Sequence, residues 1–70
     1  MMPLSLANAG EVVTIRKISG NERVRQHLAE LGFVVDAPVK VVNQVAGNLI
    51  VQVRESRIAI DKDMAMKIMY

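Results

Sequence analysis

Residues 39–60, "VKVVNQVAGNLIVQVRESRIAI", set the tightest limit on what this chain can fold into. Apolar and polar residues alternate there in three short runs, and a period of two marks half-buried strands. "VKVVNQV" places Val39, Val41, Asn43 and Val45 on one face. "LIVQVR" turns Leu49, Val51 and Val53 inward and Gln52 and Arg54 outward. "RIAI" is the third run. "AGN" and "ES" separate them, and Gly47 and Asn48 tolerate the positive φ that a tight hairpin turn needs. A bare meander is marginally stable and leaves its edges open, so the rest of the chain has to close it.

The remainder supplies more strands and one helix. Val and Ile together number 17 against 5 Leu, and branching at Cβ favours pleated strands over helices. "EVVTIRKI" reads as the first strand, with Val13 and Ile15 on one face and Val12, Thr14, Arg16 and Ile18 on the other. Ahead of it, Leu4 and Leu6 alternate and are expected to lay one face over the core, with Gly10 closing the lead-in. "NERVRQHLAELGF" is the clear helix. Asn21 caps its start, Glu22 suits the positive end of the helix dipole, and Val24, Leu28 and Leu31 form one stripe. Gly32 suits the left-handed closing position, and Phe33 follows where such an ending places a hydrophobic contact. "VVDAP" is a turn, in which Pro38 holds Ala37 extended. "DKDMA" is a single helical turn capped by Asp61, and "MKIMY" a last short strand. The fold class expected is mainly β with one α-helix: a single domain over residues 1–70, a small SH3-like β-barrel of about five short strands.

Several function classes fall away on composition. There is no Cys and only one His in 70 residues, which excludes disulfides and thiolate zinc sites. No apolar run approaches the ~18 residues of a membrane span. "MMPLSLANAG" lacks the basic region and long apolar core of a signal peptide, so a cytoplasmic protein is expected. The net charge of +2 is mild, and its charges are scattered rather than gathered in a tail. No Gly-rich phosphate cradle occurs, since "SGNERVR" lacks the Gly and Lys pattern of a P-loop. No enzymatic activity and no cofactor are expected.

Candidate sites remain. His27 and Glu30 share a helix face, but His27 lies about 40° from Leu31 and about 60° from Val24 on a helical wheel. That is the border of the buried stripe, where a ring covers the core edge. A metal site wants three or four protein ligands, and none stands near these two. Met64, Met66 and Met69 offer thioethers, which select soft Cu(I); adaptable packing is the simpler role. Asp61, Asp63 and Glu55 lack the spacing and glycine of a calcium loop, and no metal site is expected. Arg16, Lys17, Arg23, Arg25, Arg54 and Arg57 raise nucleic-acid binding. The chain, however, has one Phe and one Tyr and lacks the stacking aromatics of single-strand binders. Arg23, Arg25, Arg54 and Arg57 are the candidates for meeting an acidic surface of a protein partner.

Segments spread over residues 4–68 together resemble the ferrous iron transport protein A family, FeoA. "LSLANAG" resembles its leucine-spaced opening. "RVRQHLAELGF" resembles its basic helix start leading to Leu-x-x-Leu-Gly and an apolar residue. "VKVV" and "GNLIVQVRESRIAIDKDMAMKI" resemble the strand and closing hairpin that follow. Asp36 and Glu55 stand where glycine is usual; Asp occupies left-handed space at modest cost, so the first turn is expected to keep its shape. The resemblance implies an SH3-like barrel acting as a small cytoplasmic accessory of ferrous iron transport. It also implies a family-level link to transition metal ions, no catalysis, and a partner in FeoB, the membrane ferrous iron transporter with a GTPase domain. Two alternatives stand beside it: a DNA-binding swapped-hairpin protein of the AbrB or antitoxin type, which usually carries Ile-Pro where this chain has "ISGN", and a detached regulatory domain of a metal-dependent repressor.

Overall fold

Backbone hydrogen bonds draw the two chain ends together before any regular element begins. Met2 N–H donates to the Tyr70 carbonyl at 2.9 Å, Tyr70 N–H returns the bond at 2.8 Å, and Pro3 bridges Met69. The computed structural model describes all of residues 1–70. A 3-10 turn at Leu4–Leu6 precedes β1 (Val12–Thr14), β2 (Lys17–Ile18), α1 (Glu22–Glu30), β3 (Pro38–Val45), β4 (Asn48–Val53), β5 (Ser56–Ile60), α2 (Lys62–Ala65) and β6 (Ile68–Met69). An antiparallel sheet runs β1-β3-β4-β5, and β2 pairs with β6 in a second.

The expected first strand is in fact two. Ile15 N–H donates to the Ala37 carbonyl at 3.0 Å, while Arg16 N–H donates to the Met69 carbonyl at 2.7 Å. The chain changes sheets between adjacent residues, and this raises the strand number from about five to six. The expected alternation survives as far as Arg16: Val13 and Ile15 are buried, while Val12, Thr14 and Arg16 are exposed; past the change of sheets Ile18, expected on the outer face, is half-buried against the core.

The helix begins and ends as its residues dictate. Asn21 Oδ1 accepts from Val24 N–H at 2.9 Å. Gly32 N–H reaches the Ala29 carbonyl and Phe33 N–H the Leu28 carbonyl, the paired bonds of a Schellman ending. Gly32 stands at φ +106°, and Phe33 behind it is fully buried. Leu28 is buried, and Val24 and Leu31 pack half-buried against the same core. At α2, Asp61 Oδ1 accepts from Met64 N–H at 2.8 Å.

Phe33, Leu4, Ile15, Leu28, Val39, Val41, Val51, Val53, Ile60 and Ile68 form the fully buried centre. Each contributes about 1.5–3 kcal/mol of apolar burial. Leu6 does not join them. The 3-10 turn buries Leu4 and leaves Leu6 60% exposed, because residues two apart in a helical turn do not share a face.

β3 also departs from its expected face. Val41 pairs with Val51, but Asn43 pairs with Ile50, so Val42 is an inserted bulge residue. A bulge shifts the side-chain phase by one. Val39 and Val41 are buried as expected, while Asn43 and Val45 turn outward. Two turn assignments shift by one residue as well. Val45 pairs with Asn48, so Ala46 (φ +50°) and Gly47 (φ +83°) hold the positive φ of this turn and Asn48 does not. In the next turn Val53 pairs with Ser56, and the left-handed residue is Arg54 (φ +56°), not Glu55. Asp36 takes φ +73°, the left-handed conformation expected of it.

Candidate functional site

Four strands carry one side chain each into a row across the solvent face of the larger sheet. Val12 on β1 stands opposite Lys40 on β3, Lys40 opposite Gln52 on β4, and Gln52 opposite Arg57 on β5. Directly opposed side chains are neighbours on one face. Adjacent strands lie about 4.8 Å apart, so Lys40 and Arg57 are separated by about 10 Å. Arg54, in the β4–β5 turn just past Val53, adds a third cation that lines the same groove as Lys40 and Gln52. The row itself holds no carboxylate; Glu55 lies beside it in the β4–β5 turn.

Between these groups runs a shallow groove of about 220 Å³, lined by Val12, Pro38, Lys40, Gln52 and Arg54. Val12 is 63% exposed and gives it an apolar wall. Arg54 passes close to the end of α1: a Cβ placed at Gly32 would stand 3.5 Å from its Nε and 3.6 Å from its Cδ. The closed end of α1 thus lies beside a cation that lines the groove.

The four arginines proposed for a partner do not gather in one place. Arg57 shares the sheet face with Lys40, and Arg54 borders it from the β4–β5 turn. Arg23 and Arg25 sit at the start of α1, and the nine residue steps from Arg23 to Gly32 cover about 13 Å along the helix axis. Arg25 is turned back on the segment before α1, with Nη1 donating to the Gly20 carbonyl at 3.2 Å. Lys17 belongs to the smaller sheet, opposite Met69. Lys40, Gln52 and Val12, which bind Arg54 and Arg57 into one surface, are not singled out by sequence reasoning. Their signal is the strand register, which the bulge at Val42 conceals.

The remaining candidates are placed as follows. His27 and Glu30 are both exposed on α1. No three His, Asp or Glu side chains come together in a metal-binding group. Asp61 is occupied as a helix cap. Met64 packs half-buried against the core, Met69 is half-buried, and Met66 is 50% exposed. A second cleft of about 320 Å³ opens where the 3-10 turn, the β3–β4 hairpin and α2 meet, with Leu6 and Leu49 on its apolar side and Gln44 and Lys62 on its polar side. No helix is long and apolar enough to cross a membrane.

Comparison with known proteins places this architecture. The chain is 36% identical over 69 residues to the "Putative Fe(2+) transport protein A" of Methanocaldococcus jannaschii, covering 99% of this chain and 84% of that protein. A crystal structure of an iron uptake regulatory protein, FeoA, superposes with a TM-score of 0.87 at 30% identity, covering 96% of this chain and 89% of that one. The zinc complex of Stenotrophomonas maltophilia FeoA, described as a procaryotic SH3 domain protein, superposes with a TM-score of 0.85 at 25% identity, covering 99% and 88%. The small mainly-β fold of two sheets and a principal helix is of this SH3-like kind. The FeoA domain model matches residues 2–70, and the chain belongs to the FeoA family, associated with ferrous iron transport.

Proposed function

We propose that this chain is a small accessory protein of ferrous iron uptake. It works by docking, without catalysis of its own, on the cytoplasmic part of an FeoB-type membrane transporter with a GTPase domain. Family membership over residues 2–70 carries this reading. The surface chemistry supports it: Lys40 and Arg57 share one exposed face, bordered by Arg54, with an apolar wall at Val12, which suits an acidic protein surface. Arg23 and Arg25 form a separate, smaller set on α1. Charges at the rim of an interface act mainly on association rate and salt dependence.

A binding titration with the purified cytoplasmic part of the transporter tests the reading. Binding is expected, weakening as salt rises. The double substitution Arg54→Glu with Arg57→Glu is expected to lower the affinity tenfold or more, with Arg23→Glu having the smaller effect. No interaction, together with normal iron uptake in a deletion strain, removes the reading. A detached regulatory domain of a metal-dependent repressor would share the fold, and the genes flanking this one separate the two cases.

A further inference from the structure

One edge of the larger sheet is open along the whole of β5. This strand stands last in the sheet order and pairs only with β4, and no bond outside that ladder uses the backbone of residues 56–60. The phase of the ladders identifies the unused groups. Val41 N–H donates to the Glu11 carbonyl at 2.8 Å and Ile15 N–H to the Ala37 carbonyl at 3.0 Å. Hydrogen-bonded and non-hydrogen-bonded pairs alternate along an antiparallel ladder, so Val12 and Lys40 face each other without exchanging bonds. Lys40 therefore directs its backbone groups to Gln52, and Gln52 directs none to Arg57. The two-residue loop between Val53 and Ser56 gives the same phase, since residues flanking such a loop form a bonded pair. Arg57 and Ala59 thus point their N–H and C=O groups away from β4.

Folded proteins commonly protect such an edge with proline, a bulge, charge or a covering element. β5 has no proline, and the bulge lies in β3. Arg57 is its one charged side chain, and Ala59 is small and exposed. The opposite edge, β1, spans three residues before the chain passes to the other sheet.

We propose that the free edge of β5 is a docking site for an extended segment of a partner chain, which adds as a fifth strand. It carries an acidic side chain opposite Arg57 and a β-branched apolar one opposite Ile58. The acid continues the row Val12–Lys40–Gln52–Arg57 at the next strand position, with Arg54 near the same end. The apolar residue falls on the inner face, where Ile58 is half-buried against the core. Main-chain bonds supply affinity in this mode and alternate side chains supply selectivity. A second copy of this chain suits the edge poorly, because antiparallel pairing of β5 about Ile58 brings two Arg57 side chains onto one face. The inference rests on the docking reading above and specifies the form of the partner segment.

Amide hydrogen exchange of the full chain, followed by NMR, tests it. The probe is the blocked peptide "TEVEVET", with controls in which Lys replaces each Glu or Pro replaces the central residue. At saturating "TEVEVET" the Arg57 and Ala59 amides are expected to exchange at least tenfold more slowly, and neither control peptide does this. Unchanged exchange at both amides, or equal protection by the Lys peptide, overturns the proposal. Protection that rises with protein concentration without peptide overturns it in favour of self-association. Ala59→Pro removes one edge donor without touching the β4 ladder and is expected to abolish the effect. Arg57→Glu retains the backbone and is expected to reverse the peptide preference. In the transporter titration, undiminished binding by Ala59→Pro leaves docking standing and overturns the edge. Failure of the unsubstituted chain to bind overturns docking, and the peptide experiment then decides the edge alone.

Discussion

Gly32 is the residue where helix closure, core and sheet face meet, and Gly32→Ala measures their coupling. Its φ of +106° is outside the range that an L side chain adopts without strain, a cost of about 1–2 kcal/mol. The added Cβ would also stand 3.3 Å from Val53 Cγ2 and 3.5 Å from Arg54 Nε. Val53 is 1% exposed and has little room to withdraw, and crowding of a packed site adds about 1 kcal/mol or more. The sum is about 2–3 kcal/mol. At about 4–8 °C per kcal/mol for a domain of this size, the Tm should fall by roughly 10–20 °C. Gly10→Ala is the internal control, because Gly10 also has positive φ, at +90°, but nothing lies within 4 Å of a Cβ added there. It should lose only the backbone part. Urea denaturation followed by far-ultraviolet circular dichroism gives both values. If Gly32→Ala costs no more than Gly10→Ala, the close approach of Val53 to the helix end is not a constraint on the fold.

Two further outcomes follow from the same geometry. Ala46→Asn creates Asn-Gly in the β3–β4 turn, where both central residues have positive φ; Asn accepts that conformation more readily than Ala, and calorimetry should show the Tm raised by a few degrees. Phe33→Ala empties the largest fully buried position at a cost of about 3–5 kcal/mol, comparable to the whole stability of so small a domain. Loss of dispersed methyl resonances in the proton NMR spectrum at 37 °C is the expected result, and a well-dispersed spectrum would contradict it.

Local chemistry was legible and long-range register was not. Asn21, Val24, Leu28, Leu31, Gly32 and Phe33 act within one helix and its ends, so their roles follow from spacing alone, and Asp61 capping α2 is equally local. Val42 is different. Nothing in "VKVVNQV" marks the bulge, which depends on how β3 meets β4, and it moved Asn43 and Val45 off the expected face. The break at Ile15 and Arg16 likewise arises from a change of partner strand. Leu6 followed strand logic in a segment that turns as a 3-10 helix. At the candidate surface, Arg54 and Arg57 were visible as exposed cations, but Lys40 joins them only through Gln52, across two ladders. Asp36 kept the left-handed turn expected of it, and Arg54 took the strained position anticipated at Glu55.

The reciprocal bonds between Met2 and Tyr70 make the two termini neighbours. A linker of a few residues would join them into a closed ring, which could be reopened at the exposed Ala46–Gly47 turn to give a permuted chain with the same sheets. The same closeness lets the whole domain be spliced into a surface loop of another protein, entering and leaving at nearly one point. In such a host the terminal side of the domain becomes the attachment, while the β5 edge, Arg54 and Lys40 stay free to meet a third molecule.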